Sequence, residues 1–194
     1  AEDRTGVSAT QAAAARLHRL VVDALLEAGA EPFSLSPSSL LLTRFGLVRR
    51  FFLDSLLASL DQGYLPVIYG DVTLDAGQGA AIASTEMLFS SLAQQLPRRR
   101  WPVKGALWLG ETAGLYDEAG RTIPRLTTIT APRLLMTASG ASGTDVTGGV
   151  RLRIETVIRL AKRVIPSWIL DGRVPGAMAQ AVLEGSVTGT EIEA

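Results

Sequence analysis

Three short apolar runs in this chain end in glycine, and no other feature limits the possible folds so strongly. Tyr64-Leu-Pro-Val-Ile-Tyr69 leads into Gly70-Asp71, Gly105 to Leu109 into a loop from Gly110 to Gly114, and Ser167 to Leu170 into Asp171-Gly172. Unbroken apolar runs of this length read as strands buried on both faces. Between and around them lie segments with helical spacing, at about 9–28, 47–60, 85–96, 150–164 and 176–183. Strands that alternate with helices predict an α/β fold on a largely parallel sheet. Ligands of such sheets sit beyond the carboxyl ends of the strands, where these glycines fall.

Composition removes several classes of function. Nineteen basic and nineteen acidic residues give zero net charge, with 47% apolar and 20% charged residues in 194. Disorder needs fewer apolar residues and more net charge, and a nucleic-acid binder that works through an overall basic field needs a positive excess. No apolar run approaches the ~18 residues of a membrane span. The absence of cysteine excludes disulfides and thiolate chemistry, and a single histidine, His18, excludes a zinc site. His18 falls beside the helical stripe Leu17, Leu20, Val21, Ala24 and Leu25, where a packed or surface role is expected, not a catalytic one. A cytoplasmic location is the default expectation. The chain opens at Ala1 without an initiator Met or a signal-peptide pattern, so Ala1 is expected to be an internal position of a longer protein.

The clearest chemical signal is Thr144-Asp-Val-Thr-Gly-Gly149 directly before a helix. Its glycines admit close backbone approach, and the first N–H groups of the helix, with the helix dipole, favour an anion such as phosphate. Arg151 and Arg153 follow in the first turn, where a cation opposes the dipole unless an anion is bound. The same residues also suit a solvated loop before an ordinary basic helix. The Lys-Ser/Thr ending of a Walker A loop is missing, and no G-x-G-x-x-G follows the first strand. Asp71, Glu86, Glu111 and Asp117 are candidates to help hold magnesium together with substrate phosphates, but they form no metal-ligand motif in the sequence.

Taken in order, Tyr64-Leu-Pro-Val-Ile-Tyr-Gly-Asp71, Ile82-Ala-Ser-Thr-Glu86, Gly110-Glu-Thr-Ala-Gly-Leu-Tyr116, Asp145-Val-Thr-Gly-Gly149 and Leu170-Asp-Gly-Arg173 with Gly189-Thr190 resemble the isopentenyl phosphate kinases of the amino acid kinase superfamily. The resemblance implies a three-layer αβα sandwich with a mainly parallel sheet, and transfer of a phosphoryl group from ATP, with Mg2+, to isopentenyl phosphate. It implies a homodimer. It also implies one kinase-like domain over 1–194, incomplete at its N-terminal strands, with acceptor-side helices in 1–63 and a nucleotide-binding portion in 64–194. By resemblance, Gly70 and Asp71 meet the substrate phosphate, Glu111 and Tyr116 lie near the nucleotide, and Gly148, Gly149 and Arg153 contact its phosphates, Arg153 with a catalytic role.

The departures from the family pattern are specific. Arg153 stands where the family has Lys, exchanging a point charge for a planar fork. Gly110-Glu-Thr-Ala-Gly114 lacks a carboxylate of the family's Thr-Asp-x-Asp-Gly, Ser84-Thr-Glu86 replaces Ser-Gly-Asp, and the Lys-bearing and His-bearing loops of the family's N-terminal part have no counterpart here. These departures leave two other readings: a kinase of the same fold with another acceptor, such as fosfomycin or an amino acid, or a non-catalytic nucleotide-binding or regulatory relative.

Overall fold

Asp3 starts the first helix by accepting the Gly6 N–H on its side chain (2.9 Å), and Gly29, at φ +80°, ends it. The computed structural model describes residues 3–138, 148–185 and 188–193. The chain divides into two compact units, Ala1–Ser91 and Leu92–Ala194, with the division inside a helix.

The first unit holds α1 (Arg4–Glu27), β1 (Pro32–Leu35), α2 (Pro37–Leu40), β2 (Leu41–Arg44), β3 (Leu47–Phe51), α3 (Asp54–Asp61), β4 (Leu65–Ile68), β5 (Asp71–Asp75), β6 (Gly79–Ala83) and most of α4 (Thr85–Gln95). β1 and β4 pair in parallel, with Leu35 opposite Ile68. A second sheet has the order β3-β2-β5-β6, with β2 parallel to β5 and a hairpin on either side. Leu41, Ala83 and Leu88 form a buried cluster against which Val48, Phe51, Ile68 and Met87 pack. One carboxylate closes both hairpins. Asp75 accepts the N–H groups of Phe45 (2.9 Å) and Gly46 (2.8 Å) from one turn and of Gly77 (2.8 Å) and Gln78 (3.0 Å) from the other. Burial pushes the Asp75 carboxyl up, but the Gly46, Gly77 and Phe45 N–H groups outweigh it and hold the group well below the usual carboxylate range.

The second unit continues with a 3-10 turn (Pro97–Arg99), β7 (Ala106–Gly110), β8 (Arg125–Thr127), α5 (Ala131–Ala138), α6 (Gly148–Ala161), β9 (Ser167–Asp171), α7 (Ala177–Glu184) and β10 (Gly189–Glu193). Its sheet has the order β7-β9-β10-β8, with β7 parallel to β9, β10 antiparallel to β9 and β8 parallel to β10. Ile154, Val157, Ile158 and Ala161 recur at helical spacing and are buried, giving α6 the apolar face it lays against β9 and β10. Four of the seven strand pairings among the described residues are parallel, as an α/β fold requires.

The structure corrects the sequence reading in three places. The expected helix over 47–60 is β3 followed by α3, because Phe45 and Gly46, both at positive φ, turn the chain back into a hairpin before Leu47. On α1 the helical period is right but the phase is not: Leu17 and Leu20 are 65% and 66% exposed, and His18 and Val22 are buried instead. β8 and α5 carry no strong pattern and were not anticipated.

Gly114 offers a direct test of packing. It sits at φ +146°, and a Cβ there would stand 2.5 Å from Thr190 Oγ1 and 2.9 Å from Thr190 N. Gly120, at φ +74°, has open space around it. Gly114→Ala is expected to cost about 1–3 kcal/mol in overpacking beyond its backbone strain, and Gly120→Ala only the roughly 1–2 kcal/mol of the strain. Urea midpoints of the two variants measure the difference.

Candidate functional site

The parallel register of β7 and β9 sets Gly110 beside Asp171, so two strands end side by side. The Gly172 N–H donates to the Gly110 carbonyl (2.8 Å) and continues the contact one step beyond the sheet. Past this point Glu111 and Thr112 are exposed, and the loop turns inward through Ala113 and the buried Gly114 to Leu115, whose N–H donates to the buried Thr190 hydroxyl (2.8 Å) on β10.

α6 supplies the charge. The Arg153 guanidinium carbon lies 5.9 Å from the ring centroid of Trp108, two residues before the end of β7. Its Nη1 is 3.6 Å from where a Cβ on Gly110 would stand. The Arg153 Nε is buried and has no hydrogen-bond partner among the described residues. A buried donor without a partner is costly, and an anion at this strand end would offer it one. Gly148 and Gly149 open the first turn of α6, where unpaired N–H groups and the positive end of the dipole favour the same kind of ligand. The preceding Thr144 to Thr147 lie outside the described residues. Arg151, the other cation of that turn, is engaged with Glu155 (3.1 Å).

The remaining predicted residues are placed differently. Glu111 follows β7 directly and is exposed. Tyr116 is 40% exposed, forms an isolated β-bridge to Thr122, and its hydroxyl accepts the Ala113 N–H (3.3 Å). Gly70 and Asp71 belong to the first unit, at the turn from β4 to β5. Asp71 is buried; its Oδ1 accepts the Val72 N–H (2.8 Å), and its Oδ2 has no hydrogen-bond partner among the described residues. Beside them His18 stacks on Tyr69 at 4.2 Å and shares a hydrogen bond with Ser34 Oγ (2.7 Å). Burial, with the Arg19 charge, lowers the His18 pKa, and the ring is a packed residue of this corner.

Carboxylates that suggested metal binding have other tasks. Asp117 accepts the N–H groups of Ala119 and Arg121 (both 2.9 Å) and pairs with the Arg121 side chain, and Glu86 accepts the Thr85 hydroxyl (3.3 Å). Among the described residues no group of three or more His, Cys, Asp or Glu side chains could hold a metal ion. Phosphates of a ligand would have to supply most of a magnesium ion's coordination here.

Arg173 closes the Leu170-Asp-Gly-Arg173 motif, but the sequence reading gives it no role in the site. Arg173 Nε donates to Asp171 Oδ1 (2.9 Å) and Nη2 to Oδ2 (2.7 Å), a bidentate pair, and Nη2 also donates to the Glu111 carbonyl. An Asp at a strand end with Arg two residues on is the available signal for this arrangement. These hydrogen bonds and the Arg173 charge hold the Asp171 carboxyl down at about 2.

Strands that pair largely in parallel, with a helix terminus and a partly buried arginine at the ends of β7 and β9, define an α/β protein of the kind that carries ligand sites beyond its strand ends. The amino acid kinase family matches residues 1–171. The chain belongs to the amino acid kinase family. It is 30% identical over 195 residues to the isopentenyl phosphate kinase of Methanothermobacter thermautotrophicus, covering 97% of this chain and 71% of the relative. It is 32% identical over 158 residues to that of Haloferax volcanii, covering 81% of this chain and 61% of the relative. Among solved structures, an isopentenyl phosphate kinase superposes with a TM-score of 0.79 at 24% identity, over 97% of this chain and 70% of that one. N-acetylglutamate synthase from Neisseria gonorrhoeae has the same fold, with a TM-score of 0.71 at 16% identity over 98% of this chain and 44% of that one. The resemblance and the α/β fold drawn from the sequence motifs are both borne out.

The depressed Asp171 pKa fixes the sign of a pH dependence. Its contribution to stability is complete above the ordinary unfolded carboxylate value of about 4. It is lost as pH falls through about 2. Urea titrations of the wild type and Asp171→Asn should differ by a constant amount down to about pH 4, and the gap should shrink below it.

Proposed function

We propose that this protein is an ATP-dependent kinase that phosphorylates isopentenyl phosphate to isopentenyl diphosphate. The observation that carries this reading is the Arg153 guanidinium, whose buried Nε has no hydrogen-bond partner among the described residues, held against the end of β7 in a chain 30% identical to an isopentenyl phosphate kinase. The fold by itself supports less, because part of N-acetylglutamate synthase from Neisseria gonorrhoeae shares it. In this reading an acceptor phosphate oxygen forms a bond to the γ-phosphorus of ATP as the bond to the β–γ bridging oxygen breaks, and ADP leaves with that electron pair. Magnesium, when bound, neutralises charge on the phosphates.

Each predicted residue then has a task. Gly148 and Gly149 offer the open first turn of α6 to the nucleotide phosphates, and Arg153 meets charge that develops on the transferring group. Glu111 and Tyr116 flank the nucleotide on the loop after β7. Gly70 lets the acceptor phosphate approach the backbone, with Asp71 beside it at the start of β5. Residues 1–63 are the acceptor-side helices, and 64–194 the nucleotide-binding portion. A homodimer in the cytoplasm completes the proposal; no helix among the described residues is long and apolar enough to cross a membrane.

A coupled assay of ADP release with ATP, magnesium and isopentenyl phosphate tests the reading, and chelation of magnesium should abolish the signal. Arg153→Ala is expected to lower kcat by about 10²-fold, the usual loss for one donor to a developing charge. Arg153→Lys, which restores the family residue, should stay within about tenfold of the wild type. Nucleotide binding without turnover would remove the acceptor assignment and favour a regulatory relative.

A further inference from the structure

The loop after β7 is fastened at both ends, and Arg173 makes one of the fastenings. At its entry, two consecutive carbonyls are held from the β9 side: Gly110 by the Gly172 N–H (2.8 Å) and Glu111 by Arg173 Nη2. At its exit, Leu115 N–H is held by Thr190 Oγ1 (2.8 Å). Asp171 in turn fixes Arg173 through three bonds, from its backbone N–H (3.0 Å), Nε (2.9 Å) and Nη2 (2.7 Å). An exposed ion pair of ordinary geometry is worth little. This one is bidentate, and its remaining reach ends on a backbone carbonyl, so it sets geometry more than it adds stability.

We infer that Arg173 is a positioning residue for the nucleotide site: clamped by Asp171, it holds the Glu111 carbonyl and so keeps the Glu111–Tyr116 loop in its ligand-binding conformation before the ligand arrives. A loop already ordered pays less conformational entropy on binding, so the clamp appears as affinity. Lysine cannot replace it, because one ammonium lacks the fork that meets both carboxylate oxygens and a carbonyl together. The inference rests on the reading of this loop as part of the nucleotide site.

The test is calorimetry of ADP with magnesium on the wild type, Arg173→Ala, Arg173→Lys, Arg173→Gln and the Asp171→Asn variants with and without Arg173→Ala. Amide hydrogen exchange over residues 111–116 without nucleotide accompanies it. Loss of the clamp should weaken ADP binding about tenfold, with a less favourable binding entropy. Exchange at the loop should speed up, and any fall in the urea midpoint should be no larger than the one Asp171→Asn shows above about pH 4. Lys and Gln should recover little. In the Asp171→Asn background, removing Arg173 should cost less than it does alone, as expected of two groups that act as one unit. A purely structural role would move the midpoint and leave affinity unchanged. Tight ADP binding by the wild type with Arg173→Ala within twofold of it would overturn the inference and leave the nucleotide site standing. No ADP binding by the wild type would overturn both.

Discussion

The pairing of β7 with β9 is the interaction on which the second unit depends. Because the two strands run in parallel and in a register that opposes Gly110 to Asp171, both chains leave the sheet at one place. A slip of one residue would turn Trp108 away from Arg153 and carry Asp171 past the Glu111 carbonyl. Burial makes the register definite: Trp108, Ile169 and Leu170 lie inside, and the buried face of α6 closes over β9 and β10. The polar contacts at the strand ends are consequences of this apolar packing and would be too weak to impose it.

Much of this was legible in the sequence, for a physical reason. Unbroken apolar runs stand out in a sequence, so 64–69, 105–109 and 167–170 read as strands, although Tyr64, Leu65 and Leu109 are exposed and only 167–170 is deeply buried. The glycines after them were visible too, because turns at strand ends need them. What escaped was decided by tertiary contact. The β2–β3 hairpin has two polar-rich strands and a turn, Phe45-Gly46, whose first residue is an unusual choice for positive φ. The phase of α1 was misread because leucines make a more obvious stripe than His18 with Val22, although the latter pair faces the protein. In the candidate site, Arg153 and the strand-end glycines could be read from motif and spacing. The pairing of Arg173 with Asp171 could be read from their spacing, but its hold on the Glu111 carbonyl could not, because Glu111 is remote in sequence.

Carboxylates show a related limit. Scattered acids invite assignment to a metal, yet of those candidates Asp117 accepts backbone N–H groups in its own turn, as Asp75 and Asp171 also do in theirs. Each satisfies donors that a tight turn would otherwise leave unpaired. Asp75 serves two turns at once and so couples the folding of both hairpins of its sheet. Such a residue looks like a ligand in the sequence and acts as a structural anion in the fold.

The stacking of Arg153 against Trp108 has a consequence of another kind. Indole emission responds to charge held close to the ring, and this ring lies 5.9 Å from the one guanidinium assigned to the transferring phosphate. In the proposed function, Trp108 would therefore serve as an intrinsic optical probe of an anion at Arg153. With Trp101 and Trp168 replaced by phenylalanine, its fluorescence would follow the arrival and departure of an anion in real time, without a label and without turnover.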